Sequence, residues 1–113
     1  MANTFKLDTN ADLTTNAISD AAAVIVTAGA SATNILLSIL VSNKTGSSAN
    51  VDIQLDANTG DDVFLIRNAP VPAGSSLEII SGNKLIMESS DVLRARSDTA
   101  SALDIAVSYL EQT

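Results

Sequence analysis

Acidic side chains are the residues of this sequence whose type and spacing could do chemistry. Asp52, Asp56, Asp61 and Asp62 lie close together along the chain. Two carboxylates can act on opposite sides of a glycosidic bond, but ligand clefts are usually lined by apolar and aromatic side chains. The chain has one Tyr, two Phe and no Trp. We therefore expect no catalysis by a carboxylate pair.

Histidine and cysteine are both absent from the 113 residues. Their absence removes the commonest general base, the commonest activated nucleophile and the soft metal ligands together. We accordingly predict a protein that is not an enzyme, with no catalytic residue and no cofactor.

The turn that runs from Asp56 to Asp62 could instead place oxygen ligands around calcium, because Asp56, Asn58, Asp61 and Asp62 surround Gly60. The turn lacks the distal bidentate glutamate of a calcium loop, and a solvated turn explains the same residues. We predict no metal site, and calcium binding at this turn stays open.

Charge and composition narrow the class of protein further. The formal net charge of −7 repels phosphate backbones and anionic lipid headgroups, so neither nucleic acid nor a membrane is an expected partner. Apolar residues make up 46% of the chain and aromatic residues 3%, which predicts one domain with an aliphatic core. The N-terminal residues do not resemble a secretory signal, so we expect synthesis and folding in a cytoplasm.

Short β-branched or alternating segments follow one another along the chain, separated by turn signals such as Ser81-Gly82-Asn83. This spacing is typical of a sandwich or small barrel. We predict an all-β fold, a single antiparallel β-sandwich of jelly-roll or Ig-like type with about eight or nine strands. An N-terminal arm is expected over residues 1–20, before a domain over 21–113. The expected strands are residues 4–7, 21–28, 33–42, 51–55, 63–67, 76–80, 84–88, 91–96 and 102–110.

Three of these segments allow finer predictions. Residues 33–42 are apolar on both faces, which favours a central strand, with Ile35, Leu37, Ile39 and Val41 on one face and Leu36 and Leu40 on the other. The polar cluster at residues 43–48 is interpreted as a hairpin turn. Prolines at 70 and 72 indicate an edge strand or a crossover after Arg67.

The clearest alternation is at residues 51–55, where apolar side chains alternate with Asp52 and Gln54. It predicts one face in the core and one in water, so Asp52→Ala is expected to cost little stability. Together with the alternation near the C-terminus, it predicts that five side chains face the core: Val51, Ile53, Leu55, Ile105 and Val107.

Four segments toward the C-terminus form a recognisable set: the corner Val71-Pro72-Ala73-Gly74-Ser75, the segments 84–88 and 91–95, and the closing Ser108-Tyr109-Leu110-Glu111. With these segments the chain resembles small structural proteins of tailed bacteriophages, and the resemblance covers roughly residues 35–113. It implies an all-β component of the virion, made in the cytoplasm of a bacterial host, with no catalytic residues to carry over.

The resemblance favours a capsid decoration, or cement, protein that assembles with itself and with the major capsid protein or other virion proteins. The alternatives are a neck, tail or fibre component, or a module that binds host-surface carbohydrate. A homo-oligomer is expected, with a trimer favoured over a dimer if the protein occupies local threefold positions of a capsid.

Two sets of side chains could serve these alternatives. Contacts between negatively charged copies must be apolar or must use cations against acidic residues, and the candidates are Lys6, Arg67, Arg94 and Arg96. A sugar-binding module would display an aromatic platform, for which only Phe5, Phe64 and Tyr109 are present.

Overall fold

The computed structural model describes residues 2–80 and 84–113, so the turn expected at Ser81-Gly82-Asn83 lies outside the described residues. Nine strands and one short 3-10 turn, Ala21–Ala23, form the regular structure of the described part. Each predicted segment overlaps one strand, and the all-β prediction is confirmed. The strands are β1 Asn3–Asn10, β2 Val24–Thr27, β3 Thr33–Asn43, β4 Ala49–Asp56, β5 Val63–Val71, β6 Ser76–Glu78, β7 Leu85–Met87, β8 Val92–Ser97 and β9 Leu103–Gln112.

The strands form two antiparallel sheets in a sandwich-like arrangement. The five-stranded sheet has the order β1-β9-β3-β6, with β7 also paired to β3, and the four-stranded sheet has the order β2-β8-β4-β5. The pairing is nested along the chain, because β4 pairs with β5, β3 with β6, β2 with β8 and β1 with β9. The first and last strands are therefore neighbours.

The core lies between the inner faces of the two sheets. Val51, Ile53, Ile105 and Val107 are buried there as predicted, and the half-buried Leu55 packs against them. Apolar side chains of β3, β5 and β8 join them, which explains how a chain so poor in aromatic residues fills its interior. Further buried contributors include Leu13, Leu36, Ile39, Val41, Met87, Leu93 and Leu103.

Strand β3 is central, as predicted, but its faces are not those that strict alternation gives. The register against β9 shifts between Leu36 and Ser38, so Leu37 is an extra, bulged residue. A bulge reverses the alternation on its far side. Leu36 therefore points inward with Ile39 and Val41, and Ile35 points outward, opposite to the predicted grouping.

The turn at residues 43–48 is not a hairpin, because β3 and β4 belong to different sheets. The buried Asn43 organises this crossover. Its side-chain amide donates to the carbonyl oxygens of Ser47 (2.8 Å) and Val71 (2.9 Å), and its Oδ1 accepts from the backbone N–H of Thr45 (2.9 Å). A turn of Asn, Gly and Ser residues serves a crossover and a hairpin equally well, so its composition did not distinguish them.

Strand β5 lies at the edge of the four-stranded sheet, as its prolines indicated. It does not end at Arg67 but continues to Val71 and includes Pro70. Asn68 adopts a positive φ of 52°, and the register against β4 shifts at two places nearby. A proline that lacks an N–H is tolerated here because the edge is irregular.

Residues 2–20 are packed against the rest of the chain rather than projecting as the expected arm. β1 pairs with β9 over its whole length, four residues longer than the strand expected at residues 4–7. Leu13 is 2% exposed, and its N–H donates to the Leu103 carbonyl at 2.8 Å. We call residues 14–20, which cross the outer face of the four-stranded sheet, the strap.

Candidate assembly surface

Ion pairs occupy the outer face of the four-stranded sheet. Asp52 on β4 accepts a hydrogen bond from the Arg96 guanidinium on β8 at 3.2 Å, and Asp56 accepts one from Arg94 at 3.1 Å. The two pairs link neighbouring strands, since Asp52 lies directly opposite Arg96. The side chains of Asp52 and Arg94 are only 11% and 16% exposed, so these pairs are partly desolvated.

The strap covers these ion pairs. Arg96 donates to the carbonyl oxygens of Asn16 (2.9 Å) and Thr15 (3.1 Å), and Arg94 donates to that of Asp20 (3.1 Å). A guanidinium has five N–H donors in a fixed plane, so one arginine can hold a carboxylate and a backbone segment together. The two arginines therefore fasten the strap to the sheet.

These contacts change two expectations from the sequence. Arg94 and Arg96, proposed as cations for contacts between copies, are used within the chain. Asp52 was expected in water, but the residue as a whole is only 8% exposed. Its Oδ1 also accepts the Asn68 N–H at 2.7 Å. The alternation of residues 51–55 correctly placed Asp52 away from the core, but it carried no information about a distant segment that covers the outer face.

The other two candidate cations also have contacts within the chain. The Lys6 ammonium lies 3.1 Å from the Glu111 carboxylate, with both side chains partly exposed. The Arg67 guanidinium lies 4.8 Å from the centre of the Phe64 ring, a cation–π distance. Both pairs are at sheet edges, on β1 and β5 respectively.

The acidic turn does not gather a ligand set. Asp56 is paired with Arg94, and the Asn58 N–H donates to Asp91 at 2.8 Å. A hydrogen bond with the Asp56 carboxylate raises the pKa of the exposed Asp62 above its ordinary value. Among residues 2–80 and 84–113, no three acidic side chains come close enough to hold a metal ion.

The outer face of the five-stranded sheet is different, because it is apolar and exposed. One row of cross-strand neighbours runs over four strands, from Phe5 on β1 to Leu110 on β9, Ile35 on β3 and Ile86 on β7. Phe5 is 77% exposed and Ile86 52%. Neighbours in register share one face of a sheet, so these four side chains form a continuous stripe.

Two further rows extend this surface. Leu7, which is 62% exposed, lies beside Ser108, and Thr9 lies beside Ala106, which in turn neighbours Leu40. A shallow depression of about 280 Å³ lies next to Leu40 and is also lined by Thr9 and Asp104. We call the side chains Phe5, Leu7, Ile35, Leu40, Ile86 and Leu110 the apolar face.

Polar contacts at the margins of this sheet hold β1 and its connection in place. The buried Tyr109 hydroxyl donates to Asp8 at 3.0 Å, and burial together with this bond raises the pKa of Tyr109 to about 12. Lys44 bridges Asp12 and Asp104. The Asp12 backbone N–H (2.9 Å) and the Lys44 ammonium both donate to Asp104, and they lower the pKa of its carboxyl.

The aromatic side chains do not form a sugar-binding platform. Phe5 is on the apolar face, Phe64 is on the edge strand of the other sheet, and Tyr109 points into the core with 6% exposure. A stacking platform requires aromatic rings side by side on one surface.

Sequence reasoning missed the apolar face because its members are far apart in the chain. Only the two-sided apolar pattern of residues 33–42 pointed to it, and that pattern was interpreted as a sign of a central strand. The outer side of β3, with Ile35 half-buried and Leu40 39% exposed, is open.

Comparison of the chain with protein-family models, with curated proteins and with solved structures finds no match. Within the described ranges, no helix has the length and apolar character needed to cross a bilayer.

Proposed function

We propose that this chain is a non-enzymatic structural protein of a bacteriophage virion, which assembles with itself and with neighbouring particle proteins. The observation that carries the proposal is the apolar face. Among residues 2–80 and 84–113, four of the six large exposed hydrophobic side chains lie on it, namely Phe5, Leu7, Leu40 and Ile86. Contiguous exposed apolar surface on a small domain marks an interaction site, and a sheet face suits a broad, flat protein partner.

The strand topology supports the proposal by analogy. We infer that the fold is a jelly roll, because nested pairing of β1 with β9, β2 with β8, β3 with β6 and β4 with β5 describes a long hairpin ribbon rolled into two sheets. Jelly rolls are frequent among viral capsid proteins, but also among lectins. A fold is compatible with many functions, so the virion assignment rests on the resemblance over residues 35–113 as well.

The distribution of charge favours assembly over catalysis. The basic side chains of the outer four-stranded face are already paired with Asp52 and Asp56, and the chain has no histidine or cysteine. Among the virion positions we favour decoration of the capsid, because a flat apolar face can lie against a shell surface. A neck, tail or fibre position is the alternative, and the aromatic residues give no support to carbohydrate binding.

Immunogold microscopy tests this function. An antibody raised against the purified chain should label the heads of tailed particles banded on a caesium chloride gradient of the host culture. Label on the tail or neck would move the assignment there, and particles without label would contradict the proposal.

A pair of variants tests the surface. Ile86→Asp and Val63→Asp each place a carboxylate at an exposed aliphatic position, 52% and 45% exposed respectively, but only Ile86 lies on the apolar face. Added to particles that lack the chain, Ile86→Asp should bind at least tenfold more weakly than the unaltered chain, while Val63→Asp should bind normally. Equal binding by both variants would place the attachment surface elsewhere.

A further inference from the structure

Strand β1 is a regular edge strand with accessible side chains. Ala2 and Thr113 exchange both backbone hydrogen bonds, at 3.0 and 2.9 Å. Antiparallel pairs alternate between bonded and non-bonded positions, so the residues with even numbers in β1 bond to β9. The N–H and C=O groups of Phe5, Leu7 and Thr9 therefore point toward the outer edge of the sheet.

The other sheet edges are irregular or short. β5 contains Pro70 and two register shifts, β2 has four residues and one shift, and β6 and β7 have three residues each. β1 has eight residues, no proline and no register shift. Proteins usually protect a long regular edge because it templates the addition of another strand. The unprotected β1 edge is thus suited to receive one.

We infer that β1 pairs with β1 of a second copy of this chain, antiparallel about a two-fold axis through Leu7. This inference rests on the proposed self-assembly and names the contact. The charges of the strand select the axis. With the axis at Leu7, Lys6 lies opposite Asp8 of the partner subunit, and the same ion pair occurs twice.

Neighbouring axes are less favourable. An axis through Lys6 places two lysines opposite each other, and one through Asp8 places two aspartates opposite each other, which is destabilising. An axis through Phe5 places Lys6 opposite Thr4 and makes no ion pair. With the axis at Leu7, Lys6 and Asp8 also occupy non-hydrogen-bonded positions, where facing side chains are closest.

The pairing is compatible with the contacts within each chain. The Lys6 ammonium lies 3.1 Å from Glu111, but it has three N–H donors and can hold a second carboxylate as well. Asp8 accepts the Tyr109 hydroxyl at Oδ2, and its Oδ1 is available to the ammonium of the partner subunit. On the opposite side of the sheet, Leu7 meets Leu7 and Phe5 meets Thr9. The apolar faces of the two copies then form one surface across their two five-stranded sheets. Phe5 and Leu7, the two most exposed side chains of the apolar face, are partly covered in the dimer.

Sedimentation velocity of charge-reversal variants tests this register. The unaltered chain should sediment with twice the chain mass of 11.6 kDa at high concentration. Lys6→Asp and Asp8→Lys should each sediment as monomers, because each creates two like-charge contacts. An equimolar mixture of these two variants should recover a 1:1 dimer, since each variant supplies the charge that the other lacks.

Two matched controls make the same types of charge reversal, Lys to Asp and Asp to Lys, at positions outside β1. Lys84→Asp and Asp61→Lys alter exposed residues outside β1 and should dimerise like the unaltered chain, and circular dichroism should show all four variants folded. If a single β1 variant is unfolded, the double variant Lys6→Asp/Asp8→Lys provides the test, because it should restore the dimer.

Dimers that persist in both single β1 variants would overturn the inference, as would a mixture that fails to pair. A trimer, the state favoured from the sequence, or a monomer at every concentration would also overturn it. These outcomes leave the proposed virion function to be decided by the labelling of particles.

Discussion

The outer faces of the two sheets differ in what lies over them. On the four-stranded sheet, Asp52 and Asp56 pair with Arg96 and Arg94, and the strap covers the pairs. On the five-stranded sheet, an apolar stripe is exposed. A polar face is thus covered within one chain while an apolar face is left exposed, and this contrast is the basis of our proposal that the exposed face binds another molecule.

Removal of the strap together with β1 should have the largest effect on stability. Deleting residues 2–20 eliminates β1, the buried Leu13 and the carbonyl partners of Arg94 and Arg96. A separate arm over residues 1–20 would leave the domain folded when it is deleted, but the contacts of β1, Leu13 and the strap lead us to expect loss of cooperative unfolding in a thermal melt followed by circular dichroism. Deleting only residues 2–4 is the control and should preserve the transition. A melt within a few degrees of the full chain after the longer deletion would show that β1, Leu13 and the strap are all dispensable for folding.

A single substitution should break one of the ion pairs on the outer face of the four-stranded sheet. Asp52→Ala should lower the free energy of unfolding by about 2–3 kcal/mol, because it leaves the Arg96 guanidinium and the Asn68 N–H without their acceptor. Urea denaturation measures the change. Asp61→Ala at the exposed acidic turn should stay within about 0.5 kcal/mol, and an equal effect of the two variants would mean that the ion pair adds nothing to stability.

The hydrogen bond between Tyr109 on β9 and Asp8 on β1 should contribute less to stability at alkaline pH. The pKa of Tyr109 is about 12 in the folded chain and about 10 when unfolded. Its raised pKa means that the folded chain holds the proton more tightly, so this contribution to stability is complete below pH 10 and is lost between pH 10 and 12.

Tyr109→Phe isolates that contribution. It should cost about 1 kcal/mol near neutral pH through the lost hydrogen bond to Asp8. The difference in unfolding free energy between the two proteins should then shrink as the pH rises above 10. A difference that is constant to pH 12 would contradict the assigned pKa.

The smallest effect on stability is expected on the open face itself. Ile86→Ala should change the free energy of unfolding by less than about 0.5 kcal/mol, whereas Ile53→Ala, at a fully buried position, should cost about 2–5 kcal/mol. Chemical denaturation of the dilute, unassembled protein compares the two. A large loss from Ile86→Ala would mean that the apolar face contributes to folding of the single chain.

The sequence alone determined where the strands lie along the chain and which side chains of β4 and β9 face the core. The period-two pattern of Val51, Ile53 and Leu55 is a local property of an extended chain, and it predicted their inward direction correctly. Turn residues between the segments identified most of the breaks. Prolines likewise indicated an edge or a crossover, because a missing N–H is a local property as well, and β5 lies at an edge.

Only the tertiary structure decided which outer face is covered and which is open. Alternation divides side chains between two faces of a strand, but it does not tell which distant segment lies over each face. Asp52 and Ile86 both point outward, and they differ only because the strap crosses one sheet and nothing in the described part of the chain crosses Ile86. The inversion of β3 at Leu37 is equally nonlocal, since a bulge exists only relative to the partner strand.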